Sequence, residues 1–213
     1  MRFLYSFSLL LIILSSCSSK ETSPIVEDEF IQIGEQVWMK KNLDISNFRN
    51  GDPILMAYTN EEWENAGKEG IPAWCYYENM PENGKKFGKL YNWHAVNDVR
   101  GLAPEGWRIP SNEDFNSLSE FLGGEEKAGT FLKSTYGWSE NGNGSDNYGF
   151  NGQPGGSRNY NGFFYDIGNG SYWWASNEGN NKFAWLRYLY HGKSSITGGM
   201  ANKEDGMYVR CIK

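Results

Sequence analysis

The stretch GWRIPSNEDFNSLSEFLGG, residues 106–124, carries a complete helix signal. Ser111 is a good N-cap, because its short side-chain oxygen can accept from a first-turn amide, and Asp114 three residues on makes an acidic variant of the capping box. Phe115, Leu118, Phe121 and Leu122 recur at helical spacing, and Gly123-Gly124 supplies a left-handed stop. The spacing predicts a helix over 112–122. A second, shorter helix is expected from Glu125 to Ser134, with Ala128, Phe131 and Leu132 on its inner face. Glu113 and Asp114 are explained by the helix dipole rather than by acid–base work.

On both sides of this helical centre the patterns are those of strands. Phe30–Ile33 and Gln36–Met39 flank Gly34-Glu35 and read as a β-hairpin. Glu61 to Gly67 fits one short helix. Trp74–Tyr77 is strand-like, Asn79–Gly88 is turn-rich, and Lys89–Val96 fits either a strand or a short helix. Residues 139–170 hold 9 Gly and 7 Asn in 32 residues, with Tyr148, Phe150, Tyr160, Phe163, Phe164 and Tyr165 interspersed. That mixture predicts a long ordered loop pinned by its aromatics. Ser171–Ala175, Phe183–Tyr190 and Met207–Ile212 are expected strands, and the adjacent Trp173 and Trp174 should face opposite sides, one in the core and one free to be exposed.

Composition agrees with a single loop-heavy domain from Phe30 onward. The chain has 213 residues with 9 Trp, 13 Tyr and 12 Phe, too aromatic for a disordered chain and long enough to bury one substantial core. Its 26 Gly exceed the average usage of about 7% and imply many tight turns. The formal net charge is −6, and basic residues pair only at Lys40-Lys41 and Lys85-Lys86. No basic stripe is present to neutralise many phosphates, so nucleic acid is not an expected partner.

Residues 1–17 read MRFLYSFSLLLIILSSC. Arg2, an apolar run from Phe3 to Leu14 and small residues before Cys17 have the form of a secretory signal. Leu14-Ser15-Ser16-Cys17 resembles a bacterial lipobox, which implies a signal peptide over 1–16, lipid attachment at Cys17 and a membrane anchor, since more than one acyl chain holds stably. Ser18 after the cysteine resembles the sorting pattern for the outer membrane, on its periplasmic or cell-surface side. Residues 17–28 then form a polar tether. An exported protein lives where disulfides persist, so Cys75 and Cys211 are a candidate disulfide worth about 3–5 kcal/mol in the chain-entropy model; the alternative is two separate buried thiols.

The chemistry of sites is sparse. His94 sits in an aromatic segment with no acidic neighbour in sequence to orient it, and His191 reads as a loop residue. No His/Cys cluster has zinc spacing. Asn141–Asn147 offers oxygen ligands and turns but only one carboxylate, fewer than calcium loops use. No catalytic residue, metal site or cofactor is assigned.

Several stretches together resemble one family. They are Ile33–Met39 with Asn42-Leu43 and Arg49–Ile54, Gly88–Trp93, Gly106–Ser111, Pro154–Arg158, Tyr172–Ser176 and Val209-Arg210-Cys211. Residues 29–213 resemble the Fibrobacter succinogenes major paralogous domain, found in lipoproteins and surface proteins of Bacteroidetes and their relatives. The resemblance implies an α+β, C-type-lectin-like fold: terminal strands that pair, small twisted antiparallel sheets with two helices, and a long Gly/Asn-rich loop region at one end. Many relatives carry Cys before the Pro-x-Gly-Trp motif, where this chain has Ala103, so no disulfide pattern transfers. The related formylglycine-generating enzymes use a reactive Cys pair, whereas Cys211 stands alone in its region. The expected function is therefore a non-enzymatic binding module for a glycan or protein ligand. Trp138, Tyr148, Tyr160 and Tyr165 are the candidate contact aromatics. A passive structural subunit of a surface assembly is the alternative, and an enzyme is the least supported.

Overall fold

The computed structural model describes residues 29–213. The signal over 1–16, Cys17 and the tether to residue 28 lie outside the described residues. Among the described residues no helix is long and apolar enough to cross a membrane.

The chain opens with the expected hairpin. Strands β1 (Phe30–Ile33) and β2 (Gln36–Met39) pair Phe30 with Met39 and Ile33 with Gln36. Strand β3 (Leu55–Met56) is followed by helix α1 (Asn60–Lys68), which Thr59 and Glu62 close with a capping box. Strand β4 (Ala73–Cys75) pairs with β3 in parallel and with β5 (Leu90–Tyr91) antiparallel. The span 89–96 resolves into both expected forms: β5, then a short helix α3 (Trp93–Val96) capped by the Asn92 side chain. Between β4 and β5 the turn-rich segment instead holds helix α2 (Pro81–Phe87), with Pro81 in its first turn, where a missing N–H costs nothing.

Helix α4 (Asn112–Phe121) has the capping box predicted for it, and α5 (Glu125–Leu132) follows after Gly124. Ala128 and Leu132 are buried as expected, while Phe131 is only partly buried. The Gly/Asn-rich region departs from the expectation of one long loop. It contains strands β6 (Gly155–Arg158) and β7 (Phe164–Ile167), which join β8 (Gly170–Glu178), β9 (Phe183–Tyr190) and β10 (Ile196–Asn202) in a five-stranded sheet of order β10-β9-β8-β6-β7. The β6–β8 and β3–β4 pairs are parallel, so the sheets are mixed rather than purely antiparallel.

Trp173 and Trp174 do point to opposite faces of β8, but both are fully buried. Trp173 and Leu189 belong to one core cluster, and Trp174, Ala184 and Leu186 to a second. Apolar side chains therefore alternate between two cores along β8 and β9, and the sheet is covered on both faces. Residues 207–212 also depart from expectation. They form no continuous strand but an extended segment that makes single bridges, Met207 to Tyr91, Tyr208 to Trp173, and Ile212 to both Trp38 and Arg108.

Arg158 lies wholly inside the protein. Its guanidinium donates to the carbonyls of Gly162, Ala57 and Thr59 at 2.9 Å each and to Asn60 Oδ1 at 3.3 Å. It also lies over the rings of Trp63 and Phe164. These bonds tie β6 to the turn before α1. Arg158→Ala would leave the carbonyls unsatisfied in the interior and should cost about 3–5 kcal/mol in a denaturant titration. Arg158→Lys, which cannot reach four acceptors, should recover only part of that. A loss below about 1 kcal/mol for the alanine variant would contradict the structural role.

Candidate functional site

The four candidate contact aromatics do not converge. Trp138 is buried and donates from Nε1 to Ser134 Oγ and the Gly152 carbonyl, both at 3.1 Å, so its ring has no face for a ligand. Tyr148 is exposed but packs edge-on against Phe121 and Phe131 of α4 and α5. Tyr160 and Tyr165 are exposed on the β6–β7 hairpin, where the Tyr160 amide donates to Asp205 Oδ1 at 2.8 Å. In the Asn141–Asn147 segment, the Asn143 and Asp146 side chains accept from the amides of Trp138 and Asn151. Their oxygens thus brace the loop itself. Among the described residues no three His, Cys, Asp or Glu side chains gather to hold a metal ion.

What the structure does bring together is the pair of lysine dipeptides. A cleft of about 490 Å³ runs between the segment after β2 and the C-terminal end of α2, with Lys40, Lys41, Lys85 and Lys86 on its walls. It is continuous, through Asn42, Asp44, Tyr136 and Asn151, with a larger cleft of about 940 Å³ that reaches Phe30 and Trp107. Asp44 is engaged by Lys89 Nζ at 2.6 Å, and Lys85 meets Glu82 at 2.9 Å on the surface. Lys41 makes no salt bridge among the described residues.

The floor is Arg210, 2% exposed. Its Nε donates to Asn42 Oδ1 at 2.8 Å, and its Nη1 to the carbonyls of Phe150 at 2.5 Å and Met39 at 3.3 Å. Among the described residues Nη2 makes no hydrogen bond and no carboxylate salt-bridges the group. Burial pulls the guanidinium down to about 9, with only the through-space charge of Asp146 and Cys211 opposing. Beside it, the Gln153 amide donates from Nε2 to Tyr136 Oη at 2.8 Å, while its buried Oε1 has no partner. Tyr136 is 52% exposed at the mouth. The arrangement offers a recessed planar cation, flexible ammonium groups, an unfilled acceptor and an aromatic face. The two lysine pairs are visible in the sequence, but nothing in it says that they share a cleft. Arg210 had one sequence signal, its place in the Val209-Arg210-Cys211 stretch of the family resemblance.

The remaining titratable groups serve the fold. His94 is held below its ordinary value by burial, and its Nε2 has no partner among the described residues. His191 Nδ1 lies 3.6 Å from exposed Glu140. Asp114 accepts from the Ser111 amide and pairs with Arg108, which is capping work. Burial raises the Asp205 carboxyl to about 6, against amide donors at Tyr160 and Asn202. Cys75 and Cys211 are free thiols, buried in the two different core clusters. They do not form the candidate bridge, and burial pushes them up to about 11 and about 12.

The chain matches the family model of the Fibrobacter succinogenes major domain over residues 31–213. No curated protein and no solved structure matches it.

Two measurements follow from this geometry. At pH 8 the native protein should leave Cys75 and Cys211 unlabelled by iodoacetamide. Denaturant without reductant should make both alkylable, and failure to label them there would mean a bridge. The raised Asp205 carboxyl binds its proton more tightly folded than unfolded, so its contribution to stability is present below about pH 4 and lost as pH rises through about 6. Between pH 4 and pH 6 the melting temperature of Asp205→Asn should therefore fall less, or rise more, with increasing pH than that of the unmodified protein. An unchanged slope would show that Asp205 does not titrate in this range.

Proposed function

The chain belongs to the Fibrobacter succinogenes major domain family, and on that footing we propose that it is a lipid-anchored, non-enzymatic binding module of the outer membrane. In this reading residues 1–16 are a signal peptide, Cys17 carries the lipid, 17–28 are a tether, and the C-type-lectin-like domain presents its loop face to a glycan or protein ligand. The observation that supports binding is the pair of adjoining clefts that extend from Trp107 to Gln153. They join aromatic faces to polar groups that can orient a ligand. A second reading, a structural subunit of a surface assembly, draws on the sheet edge at β7, where Tyr165 and Ile167 are exposed.

Cells given a palmitate analogue should label the protein, and Cys17→Ser should abolish both label and membrane retention. A labelled Cys17→Ser variant would contradict the anchor. A glycan array together with a pull-down from intact outer membranes should yield a ligand. Blank results in both would remove the binding reading.

A further inference from the structure

Arg158 and Arg210 are both fully buried arginines that stack on aromatic rings, but they differ in one respect. Arg158 fills every nitrogen with an acceptor. Arg210 leaves Nη2 without one, and its guanidinium lines the cleft between the two lysine pairs. A buried cation is ordinarily paired or fully hydrogen-bonded, so an open nitrogen facing a cleft marks the place of an anion. With Nε and Nη1 already engaged, Nη2 is left to donate a charge-assisted hydrogen bond to a carboxylate or sulfate. Lys41 and Lys86, on opposite walls, add charge that draws an anion in.

A bare anion would not complete the site. The Gln153 Oε1 is a buried acceptor that lacks a donor, and a deprotonated inorganic anion has no hydrogen to give it. A sugar hydroxyl has one. The exposed ring of Tyr136, which the same Gln153 holds through its hydroxyl, provides an apolar face for a pyranose ring. We propose that this cleft binds an acidic saccharide, with the carboxylate or sulfate of one sugar seated on Arg210 between Lys41 and Lys86, and a neighbouring hydroxyl donating to Gln153. The inference rests on the glycan-binding reading and narrows it to anionic sugars.

Calorimetry on the full chain in detergent tests it, with three probes: a galacturonate tetrasaccharide, its neutral galactose counterpart and inorganic sulfate. The acidic tetrasaccharide should bind and weaken with added salt, and the neutral sugar and sulfate should bind at least about tenfold more weakly. The surface double variant Lys41→Gln/Lys86→Gln should cost about tenfold in affinity without changing the melting temperature. Arg210→Lys should cost more than that, and Gln153→Leu should reduce affinity for the saccharide while leaving sulfate unchanged. Equal binding of sulfate and the tetrasaccharide would overturn the proposal in favour of a simple anion site. So would binding indifferent to Lys41 and Lys86. If no acidic sugar binds but a neutral glycan does, the proposal fails while the broader binding reading stands. If no glycan of either kind binds, the glycan reading fails with it.

Discussion

The stretch from Gly206 to Lys213 holds the molecule together through its backbone. Gly206 exchanges both hydrogen bonds with Arg158 of β6, and Met207 exchanges both with Tyr91 of β5. Tyr208 accepts from Trp174 and donates to Tyr172, both on β8. Val209 and Cys211 accept from Leu43 and Met39, and Ile212 exchanges both bonds with Arg108 before Lys213 donates to Val37. One extended segment thus joins the five-stranded sheet, the three-stranded sheet and the terminal hairpin, none of which pairs with another directly as strands. An extended segment alternates its side chains, and here the buried residues on either side fall into the two cores, Tyr208 and Ile212 in one, Met207, Val209 and Cys211 in the other.

The cleft is a consequence of that stitch. Arg210 is carried to the cleft floor between Val209 and Cys211, whose carbonyls are bound to the segment just after β2 and to its last residue. Asn42 answers from the facing side, accepting from Arg210 Nε and from Trp173 Nε1 through one oxygen and donating to the Phe87 carbonyl at the end of α2. The two lysine pairs lie at the ends of these same elements, Lys40-Lys41 next to Asn42 and Lys85-Lys86 next to Phe87. The hydrogen bonds that anchor the closing segment therefore also fix the spacing of the cleft walls.

Local signals in the sequence were legible where local chemistry decides the outcome. The Ser111/Asp114 box, the Gly34 turn of the first hairpin and the aromatic, apolar run Phe183–Tyr190 each contain their own reason. Strand β6 did not, because Gly-Gly-Ser-Arg has little strand propensity. It is held as a strand by pairing with β7 and β8, and Gly155 leaves room for Tyr208 Oη, which donates to its carbonyl at 2.7 Å. Helix α2 was hidden for a related reason: Gly84 faces the Tyr76 ring, so a residue that reads as a turn is there for close packing. The burial of Trp174 depended on the second core, built from residues as distant as Leu43 and Val209. At the cleft, the lysines were visible as pairs and Arg210 as part of a motif. Their convergence is purely tertiary, and the candidate contact residue Trp138 is packed in the interior instead.

Native-state hydrogen exchange at the amides of Met207, Tyr208 and Ile212 tests the central role of the closing segment most directly. If this segment stitches the sheets, these amides exchange only through global opening, with the same free energy and denaturant dependence as the β8–β9 ladder. Exchange at markedly lower free energy, independent of denaturant while the β8–β9 ladder stays protected, would show that the segment frays on its own and that the sheets, and the cleft they frame, hold together without it.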